Sequence, residues 1–357
     1  MFVATPTGFL ASTYSAAFGE DIETETVHAA FKYPVSPAAP RETNWELMRY
    51  DVIVLDEVSM VAKVIMQHVL TTINQISLRP LLVMCGDKCQ QQPIETVNNQ
   101  TTQVSSILQD RQFYRVAHHI NLTKQYRCED QELQDILNHL RYYKPSRYLL
   151  QTIHGGRIMC ATQTPSADDV QRVLKERPTA TFLTVSRKAT NFINEVAINS
   201  IFTNCTPLMM AQFDCDLPPL PIYEALPVLI TQNRDKKNGV VNGQRAVVKL
   251  VQNKTVFLTL PNGSVVTTHL VTCCKADGTF RTSYPFVPAY ALTICKSQGQ
   301  TLNEVVIWMD AKIVPAGAAY VALSRVSRLE NLYFLTETEA NQYRPAIDDQ
   351  LLRDTDI

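Results

Sequence analysis

The stretch Val52-Ile-Val-Leu55-Asp56-Glu57 decides the fold, because four apolar residues lead directly into two acids. Short, β-branched runs of this kind are typical of buried strands in parallel sheets. Leu81-Leu-Val-Met-Cys85 is a second such run, and Gly86-Asp87 ends it. Residues 61–76, between the two runs, have a helical pattern. Strand, helix and strand in succession favour a parallel sheet with helices on both faces.

The second half of the chain repeats this rhythm. Residues 180–185 and 305–309 are apolar and predict two strands, whereas 132–142 and 188–201 predict helices. Residues 243–290 differ, because they contain several β-rich pieces and the hairpin signal Pro261-Asn262-Gly263. We predict a small β-barrel-like insertion in a second α/β domain.

Composition narrows the class of protein. A length of 357 residues favours two packed domains, and 45% hydrophobic residues exclude a wholly disordered chain. The formal net charge is -1, so a nucleic-acid partner would need a local basic groove. No apolar run approaches the roughly 18 residues of a membrane span. The nine cysteines lack a zinc-binding spacing, and we expect a reduced, intracellular compartment.

Polar groups follow the two strands of the first half, at the edge where open α/β sheets bind ligands. Asp56 is suited to hold Mg²⁺, because a hard cation prefers carboxylate oxygen, and Glu57 to polarise a water for attack on a γ-phosphate. The alternative for Asp56 is a helix N-cap. Gly86 permits a tight turn, and Gln90 can hydrogen-bond a phosphate or the attacking water. Taken alone, this second motif is better explained as an ordinary αβ turn.

Two arginines are candidates for contact with a transferred phosphate. Arg127 ends the run 122–127 and can act as an arginine finger or be a plain surface residue. Arg325 ends the apolar run 320–325, where the alternative is a snorkelling side chain. Residues 291–301 gather hydroxyl, amide, cation and glycine in one short turn, which suits phosphate oxygens or is simply a polar turn.

The N-terminal region offers nucleic-acid contacts. Thr5-Pro6-Thr7-Gly8 follows a predicted strand, and Thr26-Val-His28 precedes Phe31. Threonine and histidine can contact phosphate, and Phe31 offers a face on which a base can stack. The alternative is that His28 and Phe31 are core or half-buried residues.

In this order, the motifs resemble those of superfamily-one DNA helicases, specifically the Pif-one-like and RecD-like 5′-to-3′ branch. The resemblance is carried by residues 5–8 with 26–28, 56–60, 86–94, 122–127, 240–243, 293–301 and 320–325. The runs Thr26-Val-His28 to Val35 and Lys296-Ser-Gln-Gly-Gln-Thr301 also resemble helicase segments of Helitron transposons.

The resemblance implies two RecA-like parallel-sheet domains. The first spans 1–145 and is N-terminally truncated. The second spans 146–357 and carries an SH3-like β insertion at 240–290. It implies ATP and Mg²⁺ as cofactors, with the metal on Asp56. The implied roles are catalytic for Asp56, Glu57, Gln90, Arg127 and Arg325; ATP-binding for Gly86, Asp87, Gln298 and Gly299; and nucleic-acid-binding for Thr5, Pro6, Thr7, His28, Phe31, Thr293, Lys296, Ser297 and Thr301.

The resemblance implies single-stranded DNA or DNA junctions as partners and no association with a membrane. It also implies that the protein is a monomer and lies in the nucleus or mitochondrion. Basic residues near the β insertion can follow the DNA backbone or form a solvated basic loop. They are Arg234, Lys236, Lys237, Arg245 and Lys249.

One departure from the family concerns phosphate binding. The chain contains no G-x-x-x-x-G-K-[ST] loop, whose N–H groups and lysine would hold the β- and γ-phosphates. We therefore expect a helicase fragment with impaired ATP binding, either a truncated product or a degenerate copy. The alternative function is a non-catalytic single-stranded nucleic-acid-binding remnant of a transposon helicase. Cys295 also stands where the family usually has His, and Gln91-Gln92 replace an apolar-Pro pair.

Overall fold

The computed structural model describes residues 1–34, 40–97, 100–213, 218–274 and 279–347. Its helices are α1 Gly8–Phe18, α2 Val27–Ala30, α3 Lys63–Gln75, α4 Arg111–Val116, α5 Gln131–Leu140, α6 Arg147–His154, α7 Ala167–Glu176, α8 Arg187–Ile201 and α9 Ala318–Leu323. None of these described helices has the length and apolar character needed to cross a bilayer.

The strands of the first 110 residues are β1 Phe2–Thr5, β2 Glu23–Thr26, β3 Val52–Leu55, β4 Leu81–Met84, β5 Ile94–Val97 and β6 Gln100–Gln103. Those that follow are β7 Thr181–Thr184, β8 Met209–Ala211, β9 Leu220–Ile222, β10 Pro227–Ile230, β11 Arg245–Gln252, β12 Thr255–Thr259, β13 Val265–Thr268, β14 Val271–Cys274, β15 Phe280–Ser283, β16 Phe286–Pro288, β17 Ala291–Thr293, β18 Val305–Trp308 and β19 Leu332–Phe334.

The first sheet is parallel and has the strand order β2-β1-β3-β4. The predicted strand, helix and strand are confirmed as β3, α3 and β4. Helix α3 buries Ile65, Met66, Val69 and Ile73, whose spacing is that of one helical face, against Ile53 and its neighbours on the sheet. We call this sheet and the elements packed on it the first lobe.

Strand β4 lies at the edge of the first sheet. The prediction of a fully buried strand is wrong here, because Leu81 is 64% exposed and Val83 is also exposed. Leu82 and Met84 point the other way and pack on the core of the first lobe. In the part of the chain that the structure describes, the outer side of β4 pairs with no strand.

The second sheet is also parallel, in the order β17-β7-β18-β19. Alternate residues of its strands face opposite sides, as the pleat requires. Leu183 and Ile307 pack with α5, α6 and α9, whereas Phe182 and Val306 pack with α7 and α8. The strands predicted at 180–185 and 305–309 are confirmed, and we call this unit the second lobe.

Helix α5 packs with the second sheet. Its apolar residues Leu133, Ile136, Leu137 and Leu140 share one core with the strands of the second lobe. The sequence places these residues in the first domain, which ends at 145. On packing grounds we propose a boundary before Cys128, which joins the same core.

An antiparallel five-stranded sheet, β13-β12-β11-β10-β16, lies between Pro227 and Pro288, and its core also includes Ile198, Ala211 and Ile222. The predicted hairpin at 261–263 joins β12 to β13, and Gly263 has the positive φ of 83° that such a turn favours. A further hairpin, β14-β15, is separate from this sheet. A closed SH3-like barrel stays a prediction.

Candidate functional site

Two strand ends meet at the carboxyl edge of the first sheet. The backbone turns sharply at Glu57, which has the left-handed φ of 51° that non-glycine residues rarely adopt. The amide of Val58 donates to the carbonyl of Cys85 at 2.9 Å. A Cβ added at Gly86 would lie 2.9 Å from Val58 Cγ2 and 3.1 Å from its nitrogen. Glycine is therefore needed at 86 because the two turns are in direct contact.

Asp56 has one side-chain partner that the sequence did not indicate. The hydroxyl of Tyr14, on α1, donates to Asp56 Oδ2 at 2.5 Å. Burial, together with the hydrogen bond to Asp56, raises the pKa of Tyr14 well above its ordinary value. Nothing local in the sequence marks Tyr14, because its partner is 42 positions away.

Glu57 is the centre of the charged cluster. Burial raises the pKa of its carboxyl group, Asp56 adds to the rise, and the charges of Arg325 and Arg127 oppose it. Its Oε2 atom is buried and has no hydrogen-bond partner among the described residues. The structure thus brings Asp56, Glu57, Arg127 and Arg325 into one electrostatic neighbourhood, with an unused buried acceptor at its middle.

Arg325 lies in the core, with 1% of its surface exposed, and is neither a rim nor a snorkelling side chain. Its Nε donates to Val321 O at 2.8 Å, and Nη1 donates to Ser297 O at 3.2 Å and Gln300 O at 3.1 Å. Burial, with the nearby charge of Arg127, lowers the pKa of Arg325 to about 10. Arg325 therefore ties the 294–300 turn to α9 while its charge acts on Glu57.

The side chain of Asp87 is held by protein groups in this structure, and its ATP-binding role stays a prediction. Arg141 donates to both of its oxygens, at 2.7 and 2.9 Å, and Tyr320 donates its hydroxyl at 3.0 Å. The amide of Cys89 also donates to Asp87 Oδ1 at 2.9 Å. The sequence did not indicate Arg141 or Tyr320 as partners, because both are remote in the chain.

The other predicted ATP-binding residues lie where the two lobes touch. The side chain of Gln298 is buried and donates to Gln91 O at 3.2 Å. A Cβ at Gly299, whose φ is 77°, would lie 3.2 Å from the side chain of Leu10. Gln90 Oε1 is buried and has no partner among the described residues, which leaves a hydrogen-bond acceptor open at the contact between the two lobes.

Three residues predicted to contact nucleic acid are buried in this structure. Thr5, Phe31 and Ser297 are each 0% exposed. The hydroxyl of Thr5 donates to Thr7 O, that of Ser297 to Ile294 O, and Phe31 lies in the core of the first lobe. In this structure their side chains serve packing and local turns, and their nucleic-acid contacts stay predictions.

The remaining predicted contacts are accessible in different degrees. Pro6, Thr7 and Thr293 are half-buried, and His28, Lys296 and Thr301 are exposed. Thr7 also caps α1, since its hydroxyl accepts the amide of Leu10 at 3.3 Å.

A loop of the antiparallel sheet docks on the start of α1. The amide of Phe9 donates to Asn242 O at 3.0 Å, and Asn233 Oδ1 accepts from the amide of Asn242 at 2.8 Å. A Cβ at Gly8 would lie 2.0 Å from Asn233 Oδ1, so a larger residue here would displace the Asn233 side chain from its bond to Asn242. This contact accounts for the Val240-Val-Asn-Gly243 motif.

Beside this contact, a cleft of about 660 Å³ separates α1 from the antiparallel sheet. It is lined by Ser12 and Ser15 of α1, by residues 235–240 and by 262 with 264–267. Lys236 forms an ion pair with Glu25 across its margin, at 2.5 Å. Arg245 lies elsewhere and donates to Thr181 Oγ1 and Ala289 O, which corrects its predicted place among the backbone-tracking groups.

Comparison with known proteins gives consistent results. A family model described as "AAA domain" matches residues 1–163. ATP-dependent DNA helicase PIF1 of Xenopus laevis is 25% identical over 270 residues, covering 70% of this chain and 40% of that protein. The Danio rerio PIF1 is 35% identical over 136 residues, 35% of this chain and 21% of its own length. The chain thus spans less than half of these curated relatives.

Solved structures establish the fold. Pif1 helicase from Bacteroides in complex with ADP-AlF3 and ssDNA has a TM-score of 0.71 at 19% identity, covering 99% of this chain and 86% of that chain. Pif1 helicase from Candida albicans has a TM-score of 0.62 at 19% identity, covering 99% and 94%.

Proposed function

We propose that the chain is a Pif1-like polypeptide of helicase superfamily one and that it acts in ATP-dependent translocation on single-stranded or duplex DNA. The observation that carries this proposal is Glu57. It is a buried carboxylate with an open acceptor, faced by the charges of Arg127 and Arg325. A carboxylate that accepts from a water, opposite guanidinium groups that balance phosphate charge, is the arrangement that phosphoryl transfer requires.

The proposed cofactors, ATP and Mg²⁺, fit the donor set. Asp56 would hold Mg²⁺, since this ion is usually bound through one or two carboxylates together with substrate phosphates and waters. The described residues contain no cluster of three or more His, Cys, Asp or Glu side chains, so a dedicated all-protein metal cage is not part of this proposal. When bound, the ion would neutralise charge on the phosphates.

The roles of this chain's own residues follow from their contacts. Glu57 orients the attacking water through its open Oε2, and Gln90 offers a second acceptor through its open Oε1. Arg127 is exposed and can approach a phosphate directly. Arg325 acts from within the core, where its bonds to the 294–300 turn fix its position.

Nucleotide affinity depends on a loop that cradles the phosphates. The 357 residues contain no G-x-x-x-x-G-K-[ST] loop, so we propose that the chain by itself binds ATP poorly. The same observation favours a second candidate, a single-stranded nucleic-acid binder without catalysis. Both candidates share a DNA-binding surface, and they differ in whether nucleotide changes the affinity for DNA.

We place the DNA track along the cleft beside α1. Lys237 lines it and is exposed, and it is the better test residue because Lys236 already pairs with Glu25. Exposed Lys296 and Thr301 would extend the track over the second lobe. We further propose that the chain acts as a monomer, in the nucleus or mitochondrion.

Fluorescence anisotropy with a single-stranded oligonucleotide, over a salt series, tests this function. Affinity should fall linearly with salt on logarithmic axes, and Lys237→Gln should reduce the slope by about 0.7. Lys254→Gln, an exposed lysine outside the cleft lining, is the matched control and should leave the slope unchanged. No measurable binding at low salt would refute both candidates. Because the chain by itself is proposed to bind ATP poorly, nucleotide is raised to saturation with Mg²⁺ in this assay. Affinity for DNA that then shifts selects the translocase, and affinity that stays constant selects the binder.

A further inference from the structure

A partly buried polar contact joins the two lobes beside the candidate site. Asp87 follows β4 of the first lobe, whereas Arg141 ends α5 and Tyr320 lies on α9 of the second lobe. Arg141 donates to both Asp87 oxygens at 2.7 and 2.9 Å. Tyr320 donates to Asp87 Oδ2 at 3.0 Å and accepts from Arg141 Nη1 at 2.8 Å. We call these three residues the Asp87 latch.

The surroundings of the latch favour a fixed geometry. The Asp87 and Arg141 side chains are only 19% and 24% exposed. The guanidinium of Arg141 lies 5.5 Å from the ring centroid of Tyr320. Cys89 and Ile347 form a small apolar cluster against the Tyr320 ring. A bidentate, partly desolvated pair held by aromatic packing is stronger and more directional than a surface ion pair.

On its first-lobe side, the latch holds the turn that carries Gln90. Asp87 accepts the amide of Cys89 with its Oδ1 at 2.9 Å and the amide of Gln90 with its carbonyl at 3.1 Å. The backbone of Gln90 is also pressed against Gly317, where an added Cβ would lie 2.7 Å from the Gln90 carbonyl.

On its second-lobe side, the latch leads to Arg325. The amide of Ser324 donates to Tyr320 O at 3.0 Å, and Arg325 Nη2 donates to Ser324 Oγ at 2.7 Å. A continuous series of packed and hydrogen-bonded groups therefore connects Gln90 with Arg325. Rigid contacts of this kind can transmit a displacement from one lobe to the other.

We infer that Arg141 and Tyr320 are positioning residues, which hold the Asp87 turn against α9 so that Gln90 and Arg325 move as one unit. The inference rests on the proposed function for its purpose, since Gln90 and Arg325 are the groups assigned to phosphate. Its physical content, the coupling of a first-lobe turn to two second-lobe side chains, can be measured without turnover.

Hydrogen–deuterium exchange on the full chain tests the coupling. Tyr320→Phe keeps the ring but removes the hydroxyl, and Arg141→Lys keeps the charge but removes the bidentate fork. Each should accelerate exchange in the first-lobe peptide 87–92 by about ten-fold, because charge-assisted bonds that hold this turn are lost. The matched control is Tyr343→Phe, since the hydroxyl of Tyr343 is buried and bonded to Thr338 within the second lobe. It should leave peptide 87–92 unchanged.

A combined variant separates coupling from general stability. Asp87→Asn should accelerate the same peptide, and adding Tyr320→Phe to it should have no further effect, because one network is lost only once. Unchanged exchange in 87–92 for both single variants overturns the inference. The inference is also overturned if exchange in β18, Val305–Trp308, accelerates as much as exchange in 87–92. Arg141 and Tyr320 would then serve only the stability of the second lobe. If the unsubstituted chain does not bind DNA, the proposed function is refuted, but the exchange result still stands.

Discussion

Replacing Gly317 by alanine should strain the contact between the lobes. Gly317 has φ 79°, and its added Cβ would lie 2.7 Å from the carbon and oxygen of Gln90 and 2.8 Å from Gln91 N. These are backbone atoms of the other lobe, which cannot rotate away as a side chain can. Left-handed backbone costs an L-residue about 1–2 kcal/mol. The overlap adds about 1–3 kcal/mol, as overpacking does.

Gly156→Ala is the matched control for this substitution. Gly156 has nearly the same φ, 78°, but an added Cβ there would meet no atom within 4 Å. Only the backbone cost of about 1–2 kcal/mol should remain. Urea unfolding followed by circular dichroism should therefore give a midpoint for Gly317→Ala lower than that of Gly156→Ala by about 1 M. Equal midpoints would refute the close approach of α9 to the Gln90 turn.

Three further outcomes are expected. Since burial raises the pKa of Glu57 above 4.5, stability should fall as pH rises from 4.5 through the higher folded-state value. Glu57→Gln should remove that slope in melting temperatures recorded from about pH 4 to 8, and identical slopes would contradict it. Phe31→Ala should lower the free energy of unfolding by about 3–5 kcal/mol, because a buried ring is lost. Phe31→Leu should bind single-stranded DNA with unchanged affinity in fluorescence anisotropy. A roughly ten-fold loss of that affinity would show that Phe31 stacks on a base. Tyr14→Phe should lower the free energy of unfolding in urea by about 1–3 kcal/mol, because its hydrogen bond to Asp56 is lost. Tyr148→Phe, at a residue that is 79% exposed, is the control and should have a smaller effect. Equal losses for the two variants would count against the bond between Tyr14 and Asp56.

The elements that could be predicted from the sequence are those with strong local signals. Strand β3 and the acids Asp56 and Glu57 follow from an uninterrupted apolar run that ends in charge. The apolar pattern does not distinguish an edge strand from a central strand of a sheet, because both kinds of strand need apolar residues. The exposure of Leu81 was therefore missed, since it depends on which strands are neighbours.

The errors at the candidate site have a common physical cause. An aromatic residue after a polar motif can be a stacking surface or part of the core, and only packing decides that Phe31 is core. The partners of Asp87 could not be predicted, because Arg141 is 54 positions away and Tyr320 is 233 away. Tyr14 and Arg141 have no sequence signal that ties them to their carboxylate partners.

The open edge of β4 has a consequence for the handling of this protein. Among the described residues no strand pairs with the outer edge of β4 beside exposed Leu81 and Val83, and an edge of this kind is a template on which the strand of a neighbouring molecule can add. Such additions propagate with concentration and end in aggregation. A lysine at position 81 would act as a gatekeeper, because its charge repels a second edge while its stem still covers the sheet.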